Sequence, residues 1–160
     1  MRFEHLLQIN DPLMPLIDPL TRAQLWRGLV LRVAEPVQFL PGLRGCDIGE
    51  RSVYGKVIEF NRTLDFGNFM VRDRVVMNTL EFIEVNAPAT EHFAASRLTI
   101  RIEEPSETVL FVRFLYELAE EDHHDGLDAM TDEARRQAWE LSDIDTIRRI
   151  RELTQMGKLD

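Results

Sequence analysis

Apolar and polar residues alternate along most of the first two thirds of the chain. Residues 2–10 place Phe3, His5, Leu7 and Ile9 on one side, which is the pattern of a half-buried strand. Six more segments of this kind follow, and short turn-forming sequences join most of them. They predict an antiparallel meander of six strands at residues 44–51, 56–64, 69–77, 80–85, 97–104 and 108–118.

A helical pattern separates the first strand from the meander. Thr21 suits the N-cap position of a helix that Pro36 would end. The apolar stripe of this helix consists of Leu25, Leu29 and Val33. Residues 37–40 could add one short turn, so we expect one or two short helices after the first strand.

The clearest helical pattern comes last, at residues 131–156. Its apolar stripe starts at Ala134, Ala138 and Leu141 and then drifts around the helix, because apolar residues recur at every third position from Ile144 onward. A helix with such wide apolar coverage has to be held on several sides. We expect Ala138, Leu141 and Trp139 to be its inward residues.

Two features punctuate this last helix. Ser142 and Asp145 are spaced like a capping box, and Ser and Asp compete for backbone hydrogen bonds, so we expect a kink or short break at residues 142–145. Gly157 follows the last helical turns and suits a C-terminal stop.

Composition narrows the class of protein. A chain of 160 residues is most consistent with one domain, and its net charge of −9 argues against nucleic acid as a partner. The single cysteine, Cys46, can form no internal disulfide, and the longest uninterrupted apolar run is too short for a membrane span. The first ten residues lack the apolar run of a signal peptide. We therefore expect a cytoplasmic protein, and 17 Arg against 2 Lys would suit a GC-rich bacterial genome.

The predicted order of elements indicates an α+β fold in which a curved sheet wraps around the last helix. Three stretches resemble the helix-grip fold of the START and birch-pollen-allergen-like (SRPBCC) superfamily, and the AtaL-like family within it: LTRAQLWRGLVLRVAEPVQFLPGLRGCDI, FMVRDRV and AWELSDIDTIRRIRELTQMGKLD. The resemblance implies a seven-stranded antiparallel sheet gripping the C-terminal helix, with a cavity between them. It implies no reaction, because no catalytic motif carries over. The glycine-rich loop of the allergen group has no clear counterpart here.

A cavity of this kind needs apolar walls with a few polar handles. The candidate ligand-binding residues are Phe39, Phe60, Arg62, Phe82, Phe114, Tyr116, Ala138, Trp139 and Leu141. From residue types alone, the aromatic side chains could equally fill an ordinary core.

Arg62 is the sharpest of these candidates, because strand alternation puts its charge on the face shared by Ile58, Phe60 and Leu64. A buried guanidinium needs an anionic partner. That partner could be a ligand carboxylate, but an internal Asp or Glu, or solvent at the sheet edge, is the more common outcome.

Acid–base and metal chemistry have weaker signals. His5 lies on an apolar face, where a lone histidine is usually a satisfied core residue, and His92 has a similar standing. His123 and His124 stand in an acidic segment, but two adjacent histidines rarely converge on one metal ion. We therefore expect no catalytic residue, no metal and no cofactor.

Three functions remain open. The first is binding or carriage of an apolar small molecule between the sheet and the last helix. The second is a cyclase-like or dehydratase-like enzyme acting on a polyketide or aromatic substrate, an analogy that rests on the fold alone. The third is a homo-oligomeric interaction protein, for instance a homodimer.

Overall fold

The computed structural model describes residues 1–91, 93–119 and 126–160, and the side chains of all these except 126–130. The fold is α+β, with one antiparallel sheet, a short helix and a long C-terminal helix. The strands are β1 (Arg2–Asn10), β2 (Gly45–Ile48), β3 (Ser52–Tyr54), β4 (Val57–Asp65), β5 (Met70–Asn78), β6 (Phe82–Ala87), β7 (Ser96–Ser106) and β8 (Val109–Leu118). The helices are α1 (Arg22–Ala34) and α2 (Gly126–Gln155), and a 3-10 turn occupies Pro36–Gln38.

Sheet order follows directly from the meander. The strands lie in the order β1-β8-β7-β6-β5-β4-β2, with β3 also paired to β4, so β1 returns beside the last strand. The described sheet therefore has eight strands where the alternation predicted seven. The extra strand arises because residues 49–51 separate β2 from β3. Each of these two strands then pairs with its own part of β4.

Helix α1 begins as its sequence predicts. The Thr21 hydroxyl accepts a hydrogen bond from the Gln24 backbone N–H, and the Gln24 side chain accepts one from the Thr21 N–H, which completes a capping box. The helix ends at Ala34, just before Pro36, whose ring cannot continue a helical hydrogen-bond ladder.

Helix α2 is continuous through residues 142–145, so the expected break there is wrong. The two acidic side chains do not compete with the helix backbone. Asp143 is bonded to groups on the sheet, and Asp145 pairs with Arg148 at 3.0 Å. The predicted stop is confirmed, because Gly157 adopts a φ of +71° just after the last turn.

The inward face of α2 differs from the predicted one. Ala138 is exposed and Leu141 is 69% exposed, so the expectation that they point inward is wrong. The side chains that face the sheet and α1 are Trp139, Asp143, Thr146, Ile147, Ile150 and Leu153. The polar residues Asp143 and Thr146 face inward, where they accept hydrogen bonds from Tyr116 and Arg32. This orientation of the helix places the apolar Leu141 at the surface.

Helix α2 lies alongside the edge strand β1. Phe3 stacks near Trp139, His5 meets Asp143, and Arg151 donates to the Ile9 carbonyl, so the two elements run side by side. Among the described residues, no helix combines the length and the apolarity needed to cross a lipid bilayer.

Candidate functional site

The inner face of the sheet, which faces α2, has a closed end and an open end. The closed end is a row of directly paired residues that are at most 3% exposed: Met77, Ile83, Ile100 and Phe114. The open end comprises inner-facing apolar residues that are only half-buried: Val71, Val85, Ala87, Leu98 and Leu118. The described residues of α2 therefore cover one end of the sheet and leave apolar surface uncovered at the other.

A shallow depression of about 520 Å³ lies at the rim of the open end, against Ala87, Ser96 and Leu118. A second depression of about 330 Å³ is polar and lies against Glu50, Glu59 and other residues of β3 to β5. Neither is the enclosed cavity that the resemblance implies, so that cavity stays a prediction.

Three aromatic side chains form a wall beside the open end. The ring of Trp139 on α2 stacks on Tyr116 of β8 with centroids 4.2 Å apart and planes 6° apart, and Phe3 of β1 stacks on both. Such stacking favours a fixed arrangement of the rings. Tyr116 pairs with Leu98 across the sheet, so the wall borders the open end directly.

A carboxyl, a phenol and an imidazole meet behind this wall. The Tyr116 hydroxyl donates to Asp143 Oδ1 at 2.5 Å, and His5 Nδ1 lies 3.3 Å from Asp143 Oδ2. Asp143 is fully buried, whereas 17% of the His5 side chain is exposed. The three side chains come from α2, β8 and β1, and the imidazole connects the buried carboxyl to the surface.

Burial changes the acidity of this cluster. It raises the pKa of Asp143 to about 6, against the opposing effects of the Tyr116 hydrogen bond, the Arg32 charge and His5. Burial and the neighbouring carboxylate raise the pKa of Tyr116, so its phenol stays a donor. The arrangement can therefore hold or release a proton near neutral pH inside the protein.

Arg32 adds a cation on the facing side of α1. It is 7% exposed, and its Nε donates to the Thr146 hydroxyl at 3.3 Å. Thr146 follows Asp143 by three residues, on the same side of α2. The polar groups of α1, α2, β1 and β8 thus form one cluster in the interior.

Arg62 has an internal partner. It donates to both carboxylate oxygens of Asp73, at 2.9 and 2.7 Å, and to the Val33 carbonyl at 2.9 Å. Asp73 stands directly opposite Arg62 in the β4–β5 register. The anionic partner of Arg62 is therefore an internal Asp. The planar fork of the Arg62 guanidinium is bonded to protein groups without a ligand.

The remaining candidates fall into different places. Phe39, Phe60 and Phe114 are buried core residues. Phe82 lies on the outer face, under the guanidinium of Arg101 at 4.7 Å, so its proposed place in a cavity wall is wrong. Side chains alternate along β6, so Phe82 points outward because its neighbour Ile83 points into the core.

His92, His123 and His124 lie outside the described residues. Within the part of the chain that the structure describes, no three His, Cys, Asp or Glu side chains are grouped closely enough to hold a metal ion.

The sequence interpretation missed Asp143, Thr146 and Arg32. A signal for Arg32 existed, since it follows Leu25 by seven residues and so lies on the apolar stripe of α1. Asp143 likewise follows Trp139 by four residues, but its neighbours suggested a helix break instead of a buried carboxyl.

A family model described as AtaL, acetylaranotin biosynthesis cluster protein L, matches residues 7–157. No curated protein matches the chain by sequence. Among solved structures, the Zhui aromatase/cyclase from Streptomyces sp. R1128 aligns with a TM-score of 0.61 at 13% identity, over 96% of this chain and 94% of that one.

Two further structures give the same picture. An 18 kDa protein of Caulobacter crescentus aligns with a TM-score of 0.61 at 22% identity, over 96% of this chain and 99% of that one. A START superfamily protein from Mycobacterium smegmatis aligns with a TM-score of 0.60 at 12% identity, over 95% and 98%. At these identities the likeness concerns the fold, and the helix-grip prediction is confirmed.

Proposed function

The chain belongs to the AtaL family, and from this premise we propose that it binds an apolar small molecule between the open end of the sheet and the first half of α2. One observation carries the proposal. Inner-facing apolar side chains such as Val85 and Leu98 are half-buried, while their neighbours one row away are completely buried. Covering their remaining apolar surface stabilises a complex, since each Å² removed from water is worth about 25 cal/mol.

The aromatic wall suits a flat ligand. Trp139 and Phe3 are large, rigid and only half-buried, so a ring system could lie against them at little cost in side-chain entropy. An apolar pocket with a few polar groups at one end is the usual form of a small-molecule site. Here the polar end would be the Asp143 cluster.

Native mass spectrometry of the protein purified from its own host tests this proposal. We expect a co-purified small molecule that is lost from the variant Leu98→Trp, because the added indole would fill the open end. Leu98 is a better position for a blocking residue than Phe60, which is only 3% exposed and already fills the core.

Thr99→Trp is the matched control, since Thr99 is the next residue of β7 and faces the outer side of the sheet. It should retain the bound mass. A ligand that remains on Leu98→Trp and leaves Thr99→Trp would place the site on the outer face and overturn the proposal.

A second candidate function is acid–base catalysis on the bound molecule, which the contact of Asp143 with Tyr116 and His5 favours. Proton transfer needs a group whose pKa lies near the working pH, and Asp143 meets that condition. A fold neighbour is an aromatase/cyclase, so cyclase-like or dehydratase-like chemistry is the reaction class to examine.

Hydrogen–deuterium exchange of 2-tetralone in D2O tests this candidate. An enzyme of this class would remove a proton from the carbon next to the ketone and return a deuteron, which proton NMR follows directly. We expect the wild type to accelerate exchange and Asp143→Asn to abolish the acceleration. Equal exchange rates with and without the wild-type protein would contradict catalysis while leaving ligand binding in place.

A further inference from the structure

The interior contains a guanidinium that lacks an acidic partner. Arg32 is 7% exposed, and its Nε donates to the Thr146 hydroxyl at 3.3 Å. Within the described residues, no Asp or Glu oxygen lies within 4.0 Å of the side-chain nitrogens of Arg32. Arg62, by contrast, donates to both carboxylate oxygens of Asp73. The two terminal amino groups of Arg32 have no protein acceptor among these residues.

Burying a charge without a partner is costly, so proteins pair buried arginines with carboxylates or leave them for an anionic ligand. The acid whose charge interacts with Arg32 is Asp143. Both oxygens of Asp143 are already engaged, one by the Tyr116 hydroxyl and the other by His5. Neither oxygen lies within 4.0 Å of an Arg32 nitrogen, so the terminal amino groups of Arg32 are available to a further acceptor.

The position of Arg32 fits the ligand site. Trp139, Asp143 and Thr146 follow one another on the inward side of α2, so the aromatic wall, the acid cluster and the Arg32 contact succeed each other along the helix. The Arg32 contact therefore lies about two helical turns from the aromatic wall. Beyond Thr146 the interior is closed by Ile150 and Leu153, which are at most 2% exposed.

A second arginine differs from Arg32, because 43% of its side chain is exposed. Arg136 precedes Asp143 by seven residues and so lies on the same side of α2. Its Nε is buried without a hydrogen-bond partner in the described part of the chain, and its Nη1 reaches Glu133 only at 3.9 Å. Water can solvate the exposed part of Arg136, so among the described residues Arg32 is the buried guanidinium that lacks an acidic partner.

From the unpaired terminal amino groups of the buried Arg32 we infer that the bound molecule is an apolar acid, and that Arg32 receives its anionic oxygen. The inference rests on the proposed binding site and specifies its ligand class. A carboxylate or an ionised phenol would accept hydrogen bonds from both terminal amino groups of the guanidinium. A neutral ketone or ester would accept weaker hydrogen bonds from them. Thr146 is the positioning residue, because its hydroxyl fixes Nε.

Isothermal titration calorimetry with two probes of the same shape separates this inference from the proposed function. The probes are 2-naphthoate and its uncharged methyl ester. We expect the wild type to prefer the anion about tenfold, the worth of one charged hydrogen-bonding group. Arg32→Gln should weaken binding of the anion and bring the ratio of the two affinities close to one.

Two further variants guard the interpretation. Arg32→Lys keeps the charge and loses the fork, so it should show an intermediate preference and also serves if the glutamine variant does not fold. Arg72→Gln removes the same charge from an exposed residue of β5 that faces away from the site, and should keep the full preference for the anion.

The outcomes are distinct. If the wild type binds ester and anion equally, or if Arg32→Gln keeps the preference for the anion, the inference is overturned while the proposed binding site stands. If neither probe binds, the proposed function and the inference fail together for naphthalene-sized ligands. A preference that Arg72→Gln abolishes would mean that surface charge, and not Arg32, attracts the acid.

Discussion

Asp143 is a fully buried carboxyl with a raised pKa, and this makes the stability of the protein depend on pH. The sign follows from proton binding. Between the ordinary value of 3.8 and the folded value of about 6, the folded state holds a proton that the unfolded state has lost. The contribution of this group to stability is therefore full below 3.8 and is lost as pH rises through about 6.

The variant Asp143→Asn should remove this dependence. The amide oxygen can still accept the Tyr116 hydrogen bond, and the side chain no longer ionises. The stability of the variant relative to the wild type should therefore be about 2 kcal/mol greater at pH 7.5 than at pH 4.5. Urea denaturation at the two pH values measures the difference. A pH-independent difference would show that Asp143 titrates with an ordinary pKa.

The buried pair of Arg62 and Asp73 should behave differently from a surface ion pair. Arg62→Met leaves the Asp73 carboxylate buried and unpaired, and we expect a loss of about 3–5 kcal/mol in the free energy of unfolding. Replacing both residues, with Asp73→Leu added, should restore most of that loss. Chemical denaturation of the two single variants and the double variant gives the coupling.

If the double variant were as unstable as the sum of the two single variants, the pair would have no mutual interaction. Arg74→Met provides the surface comparison, because Arg74 pairs with Glu59 on the exposed face and should cost less than about 1 kcal/mol.

At the level of single residues, sequence could locate charges on apolar faces but not their partners. Arg62 was found because a strand has a period of two, and Asp73 was missed because its pairing depends on the β4–β5 register. Arg32 and Thr146 come together only through the packing of α1 against α2. A contact between residues more than one hundred positions apart has no local signal.

At the level of elements, the crossing of the two helices depends on Gly28. A Cβ atom on this glycine would lie 2.6 Å from Cγ1 of Ile150, so the helices approach as closely as a glycine allows. We expect Gly28→Ala to destabilise the protein by about 1–3 kcal/mol, despite the better helix propensity of alanine.

Thermal or urea unfolding measures this cost, and a second change tests its cause. Ile150→Ala removes the clashing atoms, so in the Gly28→Ala background it should cost less than it does in the wild type. Additive effects of the two changes would show that the helices can separate slightly, and that the close approach is not a constraint.

Element prediction succeeded where local chemistry decides the outcome. The Thr21 N-cap, the Pro36 boundary and the Gly157 stop are properties of adjacent residues, and all are present. The rotation of α2 was predicted wrongly because counting apolar residues favoured Leu141. The fold instead turns Asp143 and Thr146 inward, where hydrogen bonds from Tyr116 and Arg32 compensate for their burial.

At the level of the whole molecule, the surface keeps an exposed apolar loop after β1. Leu13 is 88% exposed and Leu16 is 98% exposed, and Leu141 and Ile144 are exposed on α2. A homodimer would cover such residues and stays a prediction. Light scattering coupled to size-exclusion chromatography should show a dimer that Leu16→Ser weakens. A monomer at every concentration would remove this hypothesis.

The helix-grip architecture could be predicted because the order of strands and helices admits few arrangements, and the family resemblance selected one of them. The use of the interior could not, because the same aromatic residues can fill a core or line a site. Phe114 took the first role, and Tyr116, two residues later, contributes to the wall beside the open end.

The central claim is that the open end of the sheet receives an apolar molecule, and methyl-labelled NMR tests it most directly. Titration with methyl 2-naphthoate should shift the methyl signals of Val85, Leu98 and Leu118, through the ring current of a naphthalene lying against them. The methyl groups of Leu6 on the outer face should stay in place. Shifts confined to the exposed Leu13 and Leu16, or none at Val85 and Leu98 at saturating probe, would contradict the account.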